Sequence, residues 1–284
     1  MVVLVVIGNK PHRIGNPRGI DAHHSCLPSI GRFGPARAHS RLAGWTAALS
    51  TATLSSVVQP RLPKDISPFA RSCIDALAAD GLGRHLSLGG AFGLAHYHEY
   101  RPTHDVDAWW RQPIKQEERD AVVRALTQAL TSFGIVRTRS WGEVVSVELE
   151  QGGKTVFSFQ IAHRSAQIDA PIDGVWPGGL GLDSFDELVA SKMRALVERG
   201  APRDFRDIHS LCMAGLCSAA RCWQLWETRQ RLAREDADRA RARSAIVTHL
   251  SRLAVARPLD RITDAEQREK ATGLRAWFQK EFLA

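Results

Sequence analysis

Asp105 and Asp107 stand two residues apart in the run Asp105-Val106-Asp107-Ala108-Trp109-Trp110. Val106, Ala108 and Trp110 alternate with them, which predicts a strand carrying both carboxylates on one face. Two like charges so placed repel each other in a partly buried site unless a cation lies between them. A hard divalent ion, Mg²⁺ or Mn²⁺, suits carboxylates that share it with substrate phosphates. In nucleotidyl transfer such ions activate the attacking oxygen and neutralise the leaving pyrophosphate. Two acids at this spacing are equally the solvent face of an ordinary strand, so their surroundings decide. Gly89 and Gly90 end a short strand expected over 85–88, just before a helix expected over 91–97. Backbone there can approach a phosphate closely, although the pair alone reads as a tight turn. Arg101 and Thr103 directly precede the acids and offer a cation and a hydroxyl to a triphosphate.

Lys192 is the second anomaly. Ser184 and Glu187 form a capping box that opens a helix running to Glu198. Phe185, Leu188, Val189, Ala195, Leu196 and Arg199 surround Lys192 on that helix, a mostly apolar side and a costly place for an ammonium unless an anion meets it or its stem snorkels outward. A phosphate-contacting lysine answers the first condition. Asp204 and Asp207 share a face of the next helix, which begins near Arg203. Acids in a first turn also suit the helix macrodipole, and Arg203 and Arg206 are near enough in sequence for routine surface pairs.

Around these residues the pattern predicts a helix over 68–80, an amphipathic helix over 116–133, and strands over 143–150 and 154–162 joined at Gln151-Gly152-Gly153. After a Pro- and Gly-rich loop over 171–181, helices follow at 184–198, from about 203, at 218–232 and at 236–256. A last helix is expected over 263–282, with Thr263 and Glu266 as its capping box. Residues 1–60 are rich in Gly, Pro, His, Ser and Arg and predict a disordered extension, with a poor helix over 41–58. The division expected is thus 1–60 extension, 61–200 catalytic core, 201–284 helical domain.

The composition, 44% hydrophobic and 24% charged, is that of an ordinary globular protein, and the net charge of +8 favours polyanionic partners. Arg221, Arg229, Arg231, Arg234, Arg239, Arg241 and Arg243 would either track an RNA backbone or form a solvated face with interleaved acids. Five cysteines without a Cys-x-x-Cys pair fit a reducing compartment; Cys212, Cys217 and Cys222 read as core thiols rather than a zinc site. The apolar N-terminal run is far short of the roughly twenty residues a membrane span needs and lacks the charged start of a secretory signal. A cytoplasmic protein without membrane contact is expected.

Together, Ser-Leu-Gly-Gly-Ala at 87–91, Arg-Pro-Thr-His-Asp-Val-Asp-Ala-Trp at 101–109, and the block from Lys192 through Arg203-Asp204-Phe205-Arg206-Asp207 to Ile208 resemble the AbiEii-like nucleotidyltransferases, including the MenT toxins of toxin–antitoxin systems. The resemblance implies an α+β fold: a polymerase-β-like nucleotidyltransferase core with a mixed sheet, followed by a helical C-terminal region. It also implies an NTP and Mg²⁺, an RNA acceptor (in several members the 3′ end of tRNA), and a cognate antitoxin protein. Asp105 and Asp107 would hold metal and Lys192 would contact phosphates. Asp207, or its neighbour Asp204, would be the downstream acidic residue. Gly89, Gly90, Arg101, Thr103 and Asp204 would face the nucleotide, with Thr103 near a hydroxyl that is modified in some silenced relatives. Two positions depart from the pattern. Ala91 replaces the hydroxyl residue that often follows the glycine pair, and Gln160 is the nearest polar residue where many such enzymes place a third carboxylate. A small-molecule nucleotidyltransferase of the aminoglycoside type and a non-catalytic nucleotide- or RNA-binding relative are the competing expectations.

Overall fold

The computed structural model describes residues 58–284. Expectations for residues 1–57, including nearly all of the 41–58 helix, lie outside the described residues. The first helix, α1 (Pro68–Ala79), starts where proline costs no hydrogen bond, and Ser67 caps it through Oγ to the Ala70 amide at 3.1 Å. β1 (Leu86–Leu88) and the short α2 (Gly90–Ala95) flank Gly89. β2 (Val106–Trp110) shows the alternation of its sequence, with Val106, Ala108 and Trp110 buried. α3 (Gln116–Thr131) turns Val122, Ala125, Leu126 and Leu130 inward. β3 (Ile135–Trp141), β4 (Val144–Gln151), β5 (Lys154–Ala162) and β6 (Gly181–Leu182) complete the strands. α4 (Phe185–Glu198), α5 (Pro202–Met213), α6 (Ala219–Ala233), α7 (Arg239–Ala256) and α8 (Ala265–Trp277) follow.

The six strands lie in the order β3-β4-β5-β2-β1-β6, with β2/β5 and β1/β6 parallel and the remaining pairs antiparallel. The architecture is the expected α+β with a mixed sheet. One face buries Val106, Ala108, Val147, Leu149, Phe157, Phe159 and Ile161 in a core shared with α1 and α3. A second core joins α4 to the later helices through Leu188, Met193, Phe205, Ile208, Trp223, Trp226 and Phe278. α2 straddles the two, giving Phe92 to the first and Leu94 to the second.

Two strands escape the sequence pattern. β3 is an edge strand whose residues are mostly exposed, so it has no apolar alternation to reveal it. β6 is two residues inside the Pro- and Gly-rich loop, held only by its pairing with β1 and a bridge to Ile172. The last helix begins later than the capping box suggested. Asp264, not Thr263, caps it through Oδ1 to the Gln267 amide at 2.7 Å, a carboxylate being the stronger acceptor there. Cys212, Cys217 and Cys222 do not lie along one helix. The chain turns at Gly215, with φ +69°, and brings Cys222 Sγ within 3.5 Å of Cys217 and 3.9 Å of Cys212. No described helix is long and apolar enough to cross a membrane.

Candidate active site

β2 and the turn after β1 meet at one end of the sheet. The Gly89 amide donates to the Asp107 carbonyl at 2.8 Å, which draws the glycine turn against the acids. Gly90 has φ +59°, and a Cβ on it would fall 2.0 Å from Asp107 Oδ2. Only glycine permits both that backbone and that approach. Asp105, just before the strand, accepts from the Ser158 amide at 3.1 Å and the Ser158 hydroxyl at 2.9 Å, both on Oδ1. Its Oδ2 stays open. Burial raises the carboxyl pKa of Asp107; Lys192 opposes that and the like charge of Asp105 adds to it. Among the described residues Asp107 accepts no side-chain hydrogen bond. Two neighbouring carboxylates with unclaimed oxygens fit a hard divalent cation. No group of three or more His, Cys, Asp or Glu suited to metal forms among the described residues, so further ligands would come from substrate and water. Gln160 lies directly across from Asp107 in the parallel β2/β5 register, where a third carboxylate would stand.

Lys192 is buried, and its anion is a protein carboxylate: Nζ sits 2.7 Å from Asp207 Oδ2. Asp207 also receives Arg101 at 3.1 and 3.3 Å and the Tyr100 hydroxyl. Burial alone would raise the Asp207 carboxyl, but Lys192 and Arg101 outweigh it and hold it below the usual carboxylate range. Asp204 is engaged elsewhere. It takes a two-pronged Arg199 at 2.8 Å per bond and the Ala201 amide at 3.0 Å, closing the start of α5. Asp204 and Asp207 therefore pair with Arg199, Arg101 and Lys192 rather than with the exposed Arg203 and Arg206. Thr103 turns its hydroxyl onto the Asp105 carbonyl at 3.3 Å. The structure thus gathers Gly90, Asp107, Lys192, Asp207 and Arg101 by direct contact or charge, with Asp105 beside Asp107. Asp204 comes no closer than through Arg199, whose charge acts on Asp107.

A buried ionic brace behind Gly89 went unread in the sequence. Arg164 donates to Ser87 Oγ and Asp183 Oδ1, each at 2.7 Å, and Ser87 donates to the same oxygen at 2.9 Å. Glu187 meets Arg164 at 3.3 Å, pairs with Arg229 and accepts the Ile168 amide at 2.7 Å. These residues tie the ends of β1 and β6 to α4 and α6. They are scattered through the sequence, where Glu187 stood out as a helix cap, Ser87 as part of the glycine block and Arg229 as one of a basic series, with nothing to join them. Tyr100 was equally missed, although it adjoins Arg101.

A family model described as "Nucleotidyl transferase AbiEii toxin, Type IV TA system" matches residues 73–281. The chain belongs to the AbiEii family. The match takes in both the glycine–aspartate block and the Lys192–Asp207 block. Among solved structures, the chain is similar to "JHP933 from Helicobacter pylori" at 16% identity and TM-score 0.43, covering 74% of this chain and 88% of that one. A "putative nucleotidyltransferase from H. pylori" gives 16%, TM-score 0.44, and coverage of 74% and 90%. An "antigenic nucleotidyltransferase-like protein from Paracoccidioides brasiliensis" gives 14%, TM-score 0.33, and coverage of 75% and 95%. No curated protein matches the chain. In this AbiEii chain, most of the basic residues of α6 and α7 have an acidic or carbonyl partner within the protein. Arg221 pairs with Asp186, Arg229 with Glu187, Arg231 and Arg239 with Glu227, and Arg241 with Asp236, while Arg243 donates to the Ala284 carbonyl.

Proposed function

We propose that this chain is a Mg²⁺-dependent nucleotidyltransferase that moves a nucleoside monophosphate from an NTP to RNA, at the 3′ end of a tRNA. In this reading it acts as the toxin of a toxin–antitoxin pair and is silenced by a cognate antitoxin protein. Asp105 and Asp107 would hold the ion, which when bound supplies Lewis-acid activation and charge neutralisation at the phosphates. Gly89 and Gly90 keep the backbone of the turn against Asp107, where phosphates sharing the ion would lie. Lys192 and Arg101, positioned by Asp207, balance the charge of the triphosphate, and Gln160 leaves proton removal to other groups or to solvent.

The observation that carries this reading is the meeting of Asp107, Lys192, Asp207 and Arg101, drawn from three separate segments, beside a glycine turn that only glycine can make. Incubation with labelled NTPs, Mg²⁺ and total RNA tests it. Label should enter RNA with the wild type and vanish with Asp105→Ala. Label on an aminoglycoside but not on RNA would replace the acceptor. Nucleotide bound but passed to no acceptor would make the protein a non-catalytic relative, the outcome that Gln160 beside Asp107 motivates. Expression of the wild type, but not of Asp105→Ala, should arrest growth of a host.

A further inference from the structure

The strand registers extend the site past Gln160 and Ser158, onto β4 and β3. Asp107 pairs with Gln160 on β5, Gln160 with Ser146 on β4, and Ser146 with Arg139 on β3. Directly paired residues point to the same face, so Asp107, Gln160, Ser146 and Arg139 form one row across four strands. The next row runs Ser158, Glu148, Arg137, and begins at Asp105 through its two bonds from Ser158. A third runs Trp109, Ala162 and, by continuation of the same registers, Val144 and Trp141. This face is opposite the one that carries the first apolar core.

Arg137 and Arg139 are set on this face in a particular way. Arg137 Nε lies 2.8 Å from Glu150 and Arg139 Nε lies 3.2 Å from Glu148. The arginine side chains are 58% and 53% exposed, whereas their acids are 15% and 12% exposed. The carboxylates therefore sit beneath the cations, and the arginine is the more exposed partner of each pair. Two residues apart on a strand, the arginines are about 7 Å from each other, a spacing two successive phosphates of an extended strand can bridge. Trp141, half-buried at the end of the same strand face, offers a ring on which a base can stack. Three interstrand steps put Arg139 about 14 Å from Asp107 along the backbone, within reach of the nucleotides just before an acceptor end.

We propose that the β5-β4-β3 face is the acceptor platform. It would bind the last unpaired nucleotides of an RNA 3′ tail, with Arg137 and Arg139 on successive phosphates and Trp141 under a base. The proposal rests on the RNA-transfer reading above and names where the acceptor lies. A polar sheet face with arginines and an aromatic suits single strands, since unpaired bases can splay out and stack while a duplex cannot.

The test compares wild type with the Arg137→Gln/Arg139→Gln double variant and the charge-keeping Arg137→Lys/Arg139→Lys pair. Binding of a short fluorescein-labelled single-stranded RNA with a free 3′ hydroxyl is followed by anisotropy over a salt series, with NTP binding measured alongside. The glutamine pair should bind RNA roughly five- to tenfold more weakly, with a log–log salt slope shallower by about 1.4, because two phosphate contacts on a single strand are lost. The lysine pair should recover most of the affinity, and NTP binding should hold in all three. Wild-type RNA binding with an unchanged affinity and slope in the glutamine pair overturns the platform while leaving the transfer reading intact. A wild type that binds NTP but neither binds nor labels RNA overturns the transfer reading itself, and the platform with it.

Discussion

Asp207 shows how one buried carboxylate can draw several side chains together. Lys192, Arg101 and Tyr100 all converge on it, and its depressed pKa reflects the two cations. Removing its charge strands an ammonium in a nearly dry setting, whereas removing the ammonium still leaves Asp207 with Arg101 and Tyr100. Asp207→Asn should therefore cost about 3–5 kcal/mol of stability, the usual penalty for breaking a buried ion pair from one side. Lys192→Met, an unbranched apolar chain in apolar surroundings, should cost clearly less. Both should abolish transfer. Denaturant midpoints settle the order, and equal losses of stability would show that Asp207 does not organise the cations.

At the scale of elements, the glycine turn is held by what lies on either side of it. α2 is short and ends at His96, whose Nδ1 bonds the Phe92 carbonyl at 2.9 Å while Nε2 accepts from the Trp176 indole at 2.8 Å. Both ring nitrogens are thus committed to the neutral form, and burial pushes the pKa down to about 4. The sign follows from linkage. Above the ordinary histidine pKa the ring is neutral in folded and unfolded chains alike, and its contribution is complete. As pH falls from 6.5 toward 4 only the unfolded chain gains the proton, so stability declines by up to about 1.4 kcal/mol per pH unit. Between pH 7 and pH 5 the wild type should lose about 1–2 kcal/mol more than His96→Gln, read from urea midpoints at the two values. Parallel losses in the two proteins would place the acid sensitivity elsewhere. The strands beyond β2 also belong to this scale. β3 was invisible to hydrophobic pattern because an edge strand with an open face needs no apolar alternation, and that openness is what makes it available to a polyanion.

Across the whole molecule, two apolar cores meet at α2, where Phe92 and Leu94 face opposite ways. The acids and the glycines stand on the first core, and Lys192 and Asp207 stand on helices of the second. The site therefore exists only while both cores are docked. Leu94 is fully buried in the second core, and Leu94→Ala should cost about 2–5 kcal/mol. If the cores unfold together, far-UV circular dichroism and tryptophan fluorescence will report one shared transition, shifted equally in the variant. Two separated transitions would show that the halves fold independently. The net charge of +8 is likewise a property of the whole, because most of the α6 and α7 arginines are neutralised by nearby acids or held by a carbonyl.

The sequence by itself determined the local chemistry. It marked the Asp105/Asp107 alternation, the glycine turn, and the helix cap at Ser184, because each rests on residues close together along the chain. It also flagged Lys192 as an ammonium needing an anion, since helical periodicity alone sets its apolar neighbours. What it could not give was the identity of that anion. Asp207 and Arg101 lie on different segments, and only the docking of α5 and of the Tyr100–Arg101 segment against α4 brings them to Lys192. The same holds for Gln160 beside Asp107, for the Arg164–Asp183–Glu187 brace, and for the row that carries Asp107 across the sheet to Arg139. Strand register and helix docking are long-range, and no spacing along the chain encodes them directly. The acid pair was legible as a strand face from the first, and tertiary structure decided what stands around it.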